Sequence, residues 1–355
     1  MRLMSRLAAI LLVLFADSFA TDVSYGRTVT IGVFGLFHPR TLTVSVAGPA
    51  ALVLEAGNRE IILERSSGTS TAFVSITPGG VLVTAGSHAV RAQSLSVTAR
   101  TGDPANFYLS VPHRIRREYH GILRITAEGP ILSAVVTMGL EDAVASVVAA
   151  ESAPGTPIEA LKAQAVAARS YMAAARGRHV GFDFCDTTHC QFLREIPPPN
   201  SDAANAVEAT RGLVLAYRSQ VFAAMYTRSC SGRTLTPSEV GMPGGSYPYY
   251  GVKCPYCRSH PVRWTRQLSK HDALGLRRLD EASRLAVIRR LGSAAIPSDD
   301  FVMTNDGDKV LLQGTGEGHG IGLCQRGAQA MAAAGSDFRR ILTFYYPNTT
   351  IENLP

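Results

Sequence analysis

Leu140-Glu-Asp-Ala-Val-Ala-Ser-Val-Val-Ala-Ala-Glu151-Ser-Ala-Pro-Gly-Thr-Pro-Ile158 is the stretch where the chain changes its period. Val144, Val147 and Val148 recur at i, i+3 and i+4, the apolar stripe of an amphipathic helix. Glu141 and Asp142 fall in its first turn, where acids suit the helix dipole. Glu151 continues the stripe at i+7, and Ser152 and Pro154 then disfavour further helix. The spacing predicts a helix over Leu140–Glu151. It places the Glu151 carboxylate on a core-facing side at a helix C-terminus, where desolvation and the dipole both oppose its charge. A carboxyl group kept partly protonated near neutral pH is what general-acid catalysis needs. The same pattern also fits a last-turn glutamate that faces solvent.

Downstream, a second helix is predicted over 158–175. Its stripe is Ile158, Leu161, Ala165, Ala168 and Met172, and Lys162 and Arg169 lie seven apart on another face. Upstream the pattern is strand-like from Val23 to about Arg116. Segments such as Thr28–Val33, Thr41–Val46, Ala51–Leu54, Glu60–Leu63, Val81–Thr84 and Leu95–Val97 are separated by Gly, Pro, Asn and Ser turns. Strands continue over Gly121–Thr137 around Gly129-Pro130. Val207–Tyr226 reads as strands around a turn at Arg218-Ser219-Gln220. Arg228–Arg258 is long and irregular, as functional segments often are. Leu268–Leu291 reads as a polar amphipathic helical region and Val310–Gln313 as a strand. Two short helices close the chain, Gln325–Ala334 and Asp337–Tyr345. Strands followed by helices give an α+β fold class with a β-rich N-terminal region.

The first residues read as an export signal: Arg2 and Arg6, the apolar run Leu7–Phe15, and Ser18-Phe19-Ala20 as a small-x-small cleavage site. A retained N-terminal anchor fits the same residues, and no other long apolar stretch occurs. The formal net charge is +7 and the pI is near 9.2. Basic residues are dispersed, which argues against a nucleic-acid tail. In an exported protein this balance suits an anionic polymer such as a cell wall, and equally a generic basic surface.

Six cysteines are present: Cys185, Cys190, Cys230, Cys254, Cys257 and Cys324. Export permits disulfides. Between His179 and Cys190, two cysteines and one or two histidines match tetrahedral zinc chemistry, and a Cys185–Cys190 disulfide fits the spacing as well. His189 and Cys190 can both ligate only if the backbone turns sharply there, so His179, Cys185 and Cys190 are the safer three. Cys254-Pro-Tyr-Cys257 reads by default as a local disulfide, with half a metal site or a redox pair as alternatives. Cys230 and Cys324 are free or paired. The glycine-rich loop Gly314–Gly322 matches no phosphate-binding pattern and no nucleophile elbow. It leaves a backbone able to approach an extended ligand, with His319 at its centre, or a purely structural loop. A Cys324 nucleophile served by His319 lacks a group to orient the imidazole.

These segments together resemble the stage II sporulation protein D family (SpoIID/LytB domain). The matching motifs are Arg117-Glu-Tyr-His-Gly121, Leu140–Glu151, Glu159-Ala-Leu-Lys-Ala-Gln-Ala-Val-Ala-Ala-Arg-Ser-Tyr171, Ser229-Cys-Ser-Gly-Arg-Thr234, Gly318-His-Gly-Ile-Gly-Leu-Cys-Gln-Arg-Gly-Ala328 and Ile341-Leu-Thr-Phe-Tyr-Tyr346. The resemblance covers about residues 117–352. It implies a signal peptide over 1–20, a β-rich region over 21–116 and a SpoIID-like catalytic domain over 117–355. It further implies an exported, periplasmic or wall-associated lytic transglycosylase that acts on peptide-stripped peptidoglycan strands. In that reading Glu151 is the single acid/base, Lys162 and Arg169 support activity, and Ser229, Ser231, Thr234, His319 and Gln325 contact the glycan. One structural zinc on His179, Cys185 and Cys190, with His189 as a further ligand, is implied, and none is needed for the chemistry. The alternative partner is a cell-wall amidase that the chain would enhance without cutting glycan itself. A zinc hydrolase built on Cys185 and Cys190 is the weaker third reading, because cysteine-rich ligand sets usually close a structural site. The chain departs from the family at Cys230-Ser231, where many members carry the first glycine of a pair, and lacks an aromatic near Val240 and Gly241.

Overall fold

The computed structural model describes residues 27–242, 245–274, 276, 286–287, 290–292 and 294–354. The export signal over 1–20 lies outside the described residues. Among those described, no helix is long and apolar enough to cross a membrane.

The fold is α+β. Its larger sheet runs, neighbour to neighbour, through Phe184–Cys185, Thr28–Val33, Ile131–Gly139, Ile115–Glu128, Ala105–Val111, Thr41–Val46, Thr71–Thr77, Gly80–Ala85 and His88–Ala92. The long strand Ile115–Glu128 changes partner along its length. Residues 115–121 pair with Ala105–Val111, whereas 123–126 pair with Ser94–Ala99, which carries Leu52–Ala56 and Arg59–Leu63 on its other side. Alternate residues point inward, so Leu42, Val44, Val74, Val83, Leu95, Val97, Leu109, Leu123 and Ile125 are fully buried. The division after residue 116 falls inside this long strand, and the sheet is continuous across it.

The chain passes without a loop from Ile131–Gly139 into helix α1, Leu140–Glu151, and then into α2, Ile158–Ala174. Both lie within a residue of the spans read from periodicity. The burial of α2 differs from a single stripe: Ala160, Leu161 and every residue from Ala163 to Ala173 are buried, while Ile158 is 39% exposed. A helix buried all round must be clasped by neighbours, and alanines let them approach. Those neighbours are α1, α3 (Asp202–Ala209), the strand Leu213–Tyr217 and the two closing helices. Val207–Ala209 is therefore the end of a helix, not strand, capped at its start by the Ser201 hydroxyl. Arg218 and Ser219 turn with positive φ into Gln220–Val221, as the turn residues foretold.

A short α4, Pro255–Ser259, sits within the irregular stretch. The closing helices are α5, Gln325–Ala333, and α6, Phe338–Tyr345, with Asp337 as the N-cap of the latter. Arg263–Ser269, Lys309–Thr315 and Phe301–Asp306 form a separate antiparallel sheet with a small core around Trp264 and Leu312. Leu268 and Ser269 are thus strand, and half of the helix expected over 268–291 lies outside the described residues. Tyr226–Thr227 pairs in parallel with Leu323–Cys324. At Gly322 a side chain would meet the Met225 carbonyl oxygen 1.8 Å from its Cβ, and φ is +74°, so this crossing requires glycine.

Arg169 has no solvent exposure. Its guanidinium donates to both Glu141 carboxylate oxygens (2.9 and 2.6 Å) and to the carbonyls of Leu213 (3.0 Å) and Val207 (3.4 Å). One side chain of α2 thereby ties α1, α3 and a strand. Removing it leaves the partly buried Glu141 carboxylate with the Gly212 N–H (3.3 Å) but no cation, and takes a donor from both carbonyls. Arg169→Ala is expected to cost about 3–5 kcal/mol, read as a lower urea midpoint at unchanged slope.

Candidate functional site

Glu151 closes α1, where Ser152 donates its N–H to Val148 and the chain leaves helix. Its carboxylate accepts the backbone N–H of Phe192 at 2.6 Å. That segment is held along α1 by a reciprocal pair: the Ser146 hydroxyl donates to the Arg194 carbonyl (2.7 Å), and the Arg194 N–H donates back (2.9 Å). Burial pushes the Glu151 carboxyl up to about 7, against the lowering effects of the Phe192 N–H and the nearby Tyr226 hydroxyl. Tyr226 stands close enough to act electrostatically, yet its hydroxyl makes no hydrogen bond of good geometry. Desolvation therefore decides the outcome, and the carboxyl is partly protonated near neutral pH.

Glu151 faces an open cavity of about 590 Å³. Tyr171, Phe192, Tyr226, His319 and Gln325 also line it, together with Arg178, Arg228 and Arg266. Aromatic faces beside guanidinium groups suit an anionic saccharide. Two further carboxylates border it, Asp299 and Glu317, the latter 3.2 Å from Arg228. Glu239 lies elsewhere, where Arg233 first and the Thr236 N–H second hold it down to about 2. Another depression, beside Ala47–Pro49 and Glu64–Ser66, gathers no cluster of catalytic side chains.

Of the residues read as glycan contacts, His319 and Gln325 reach the cavity. The Ile321 N–H donates to Nδ1 of His319 at 3.1 Å, so the neutral ring carries its proton on Nε2. The Gln325 amide donates to the Glu151 carbonyl at 3.1 Å, tying the start of α5 to the end of α1. Ser229, Ser231 and Thr234 do not line it. Ser229 is buried, with its backbone bonded to Glu317 and its hydroxyl 3.6 Å from the Cys257 sulfur. Ser231 is exposed. The buried Thr234 hydroxyl donates to the Tyr250 carbonyl (2.6 Å) and accepts the Val252 N–H (2.8 Å), stapling the irregular stretch. Lys162 pairs with Glu159 at 2.7 Å and Arg169 lies in the core, both outside the lining. Tyr226, Arg178, Arg266, Asp299 and the Phe192 N–H had no motif to announce them; a backbone donor leaves no trace in residue type.

The loop that delivers Phe192 carries the expected ligand set. His179, Cys185, His189 and Cys190 place their ligand atoms within 4.8 Å of one another. The Cys185 and Cys190 sulfurs are 3.5 Å apart, and His179 Nε2 lies 3.2 Å from Cys190. Four ligands about 2.0–2.3 Å from one tetrahedral ion stand roughly 3.3–3.8 Å apart, so the set fits zinc. Both thiols are free. The Cys190 N–H bonded to the Thr187 carbonyl makes the sharp turn that lets His189 and Cys190 point together. The neighbouring Cys190 thiol holds the Cys185 thiol well below its usual range. Four protein ligands leave no open position, the mark of a structural ion. Asp186 anchors the loop to the sheet through Arg117 (2.8 Å), and Asp183 does so through Thr30.

The remaining cysteines correct an expectation. Cys254 and Cys257 are not a local disulfide; both are free, and their sulfurs converge with those of Cys230 and Cys324. One turn of α4 points both sulfurs to the same side, where two other segments arrive. With Cys324 buried in this group, a Cys324–His319 dyad falls away.

The SpoIID family model, described as stage II sporulation protein, matches residues 129–217. An uncharacterized protein of Brachyspira hyodysenteriae is 30% identical over 267 residues, 66% of this chain and 72% of its own length. The amidase enhancer of Bacillus subtilis is 27% identical over 276 residues, 55% of this chain but only 38% of its own length. Stage II sporulation protein D of the same organism is 26% identical over 272 residues, 61% of this chain and 75% of its own. The chain belongs to the SpoIID family.

A raised carboxyl pKa has a consequence for stability. Between the ordinary value of 4.5 and about 7 the folded protein holds a proton that the unfolded chain has released, so stability falls as pH rises through that window. Relative to Glu151→Gln, wild type is expected to lose on the order of 3 kcal/mol between pH 4 and pH 8, measured by denaturant unfolding of both proteins.

Proposed function

We propose that the chain acts on the cell wall as a lytic transglycosylase, cutting MurNAc–GlcNAc bonds with Glu151 as its one acid/base. The observation that carries this reading is the Glu151 carboxyl, raised to about 7 at the edge of an open cavity. The protonated carboxyl gives its proton to the glycosidic oxygen as the C1–O bond breaks. The C6 hydroxyl of the same MurNAc then bonds to C1 and returns its proton to Glu151, so a 1,6-anhydro ring forms without water. The Phe192 N–H would hold the carboxylate oriented between the two steps. Water-using hydrolysis would instead need a second carboxylate across the sugar, for which Asp299 and Glu317 are the candidates at the cavity.

The arginines favour a particular substrate. Removal of the stem peptide exposes the lactyl carboxylate of each MurNAc, and Arg178, Arg228 and Arg266 supply cationic partners for such groups. Peptide-stripped strands in the exported compartment are therefore the proposed substrate. Lys162 and Arg169 would act as positioning residues, through the packing of α2. The likeness to an amidase enhancer supports a second reading, in which the cavity holds glycan while a cell-wall amidase cuts.

Wild type and Glu151→Gln are incubated with peptide-free glycan strands and the products weighed. The expected wild-type product ends one water lighter than a reducing end, and Glu151→Gln is slower by a factor of roughly a hundred to ten thousand. The rate should fall as pH rises past about 7, where Glu151 loses its proton. Hydrated ends would replace transglycosylation by hydrolysis. Equal glycan binding by both proteins with no cleavage by either would favour the enhancer reading.

A further inference from the structure

We propose that Cys230, Cys254, Cys257 and Cys324 form a second, tetrathiolate zinc site that fixes the wall of the cavity next to Glu151. Three chain segments bring these residues together: the loop after Tyr226–Thr227, the start of α4, and the end of Leu323–Cys324. All four are at most 1% exposed, and their sulfurs lie within 4.8 Å of one another. Four sulfurs about 2.3 Å from a tetrahedral zinc stand about 3.8 Å apart, and Cys257 and Cys324 are at 3.4 Å. The compactness suits one ion rather than a multi-iron cluster. A spacing of two residues between Cys254 and Cys257 is that of paired zinc ligands.

Backbone donors meet the Cys324 sulfur, and hydroxyls lie beside two of the others. The backbone N–H groups of Cys230 (3.4 Å) and Gly327 (3.5 Å) both donate to the Cys324 sulfur. The Tyr345 hydroxyl is 3.4 Å from the Cys254 sulfur, and the Ser229 hydroxyl 3.6 Å from that of Cys257. Donors aimed at sulfur support thiolates bound to a cation and orient them, as outer-shell groups do in metal sites. A cluster that served only as apolar filling would have no use for them. Gly327 has no room for a side chain: an added Cβ would stand 2.0 Å from the Tyr345 oxygen and 2.7 Å from the Cys254 sulfur.

The position gives the ion its role. Cys324 precedes Gln325, which holds the Glu151 carbonyl, and Cys230 follows Ser229, which is bonded to Glu317 at the cavity. Cys190 lies two residues before Phe192, which holds the Glu151 carboxylate. Glu151 is thus gripped from both four-ligand clusters, by one contact each.

The test uses the full chain produced in zinc-supplemented medium and purified without chelator. Zinc content and zinc K-edge X-ray absorption are measured together. Two zinc ions per chain with three sulfurs to one nitrogen are expected, since the two clusters offer six sulfurs and two nitrogens. A single zinc with four sulfurs supports the proposal equally. Absence of zinc, or a spectrum of two sulfurs and two nitrogens at one zinc per chain, overturns it. So does a disulfide among these four cysteines, found by alkylation and peptide mapping of the denatured, unreduced protein. Cys257→Ser is expected to lose one zinc and leave the two-sulfur, two-nitrogen spectrum; unchanged stoichiometry and spectrum would contradict the assignment. If that variant fails to fold, the wild-type spectrum and mapping already decide.

Discussion

The helical half of the molecule depends on one buried guanidinium. Arg169 has no access to water, so its donors must be met inside the protein. They are met by Glu141 at the start of α1 and by carbonyls on either side of the turn that follows α3. The requirement fixes the angle at which α1 crosses α2, and hence where the far end of α1 emerges. Glu151 is that far end. A residue that never touches the cavity thereby sets the position of the carboxyl group on which the proposed chemistry rests.

The second constraint is desolvation at Glu151. The carboxylate keeps one strong donor, the Phe192 N–H, and this does not compensate for lost water. Had two or three backbone donors converged on it, the carboxyl would be an ordinary anion with no proton to give. The loop that supplies the single donor has little regular structure of its own. It is held by the buried Asp186–Arg117 pair, by Asp183, and by a four-ligand set suited to zinc. An ion held there would do the work that a hydrophobic core does elsewhere, giving a short irregular segment one conformation.

Much of the fold was legible in residue order. The change of period at Leu140, the proline stop after Glu151 and the valine stripe gave α1 its limits, because helix ends obey local rules. The strands Thr28–Val33 and Thr41–Val46 emerged residue for residue. Local spacing misled where burial is not one-sided. The clasped helix α2 shows no single stripe, and Val207 reads as strand or as the last turn of a helix until its partners are known. Ser229 and Thr234 carry polar groups in a loop that resembles a glycan-binding motif, yet they serve the scaffold. A hydroxyl's direction depends on which backbone passes beside it.

The sequence by itself determined α1, the strands Thr28–Val33 and Thr41–Val46, the placement of Glu151 at a helix end, and the gathering of histidines and cysteines between His179 and Cys190, all properties of residues within about a dozen positions of one another. Tertiary structure alone decided what surrounds them. Cys230 and Cys324 are 94 positions apart, and they meet because Tyr226–Thr227 and Leu323–Cys324 pair in parallel across a glycine that admits no side chain. The raised pKa of Glu151 comes from water excluded by segments distant in the chain, and a backbone N–H 41 positions away offsets it only in part. Periodicity reports which face of an element is apolar; desolvation and ligand convergence are set by which distant faces meet.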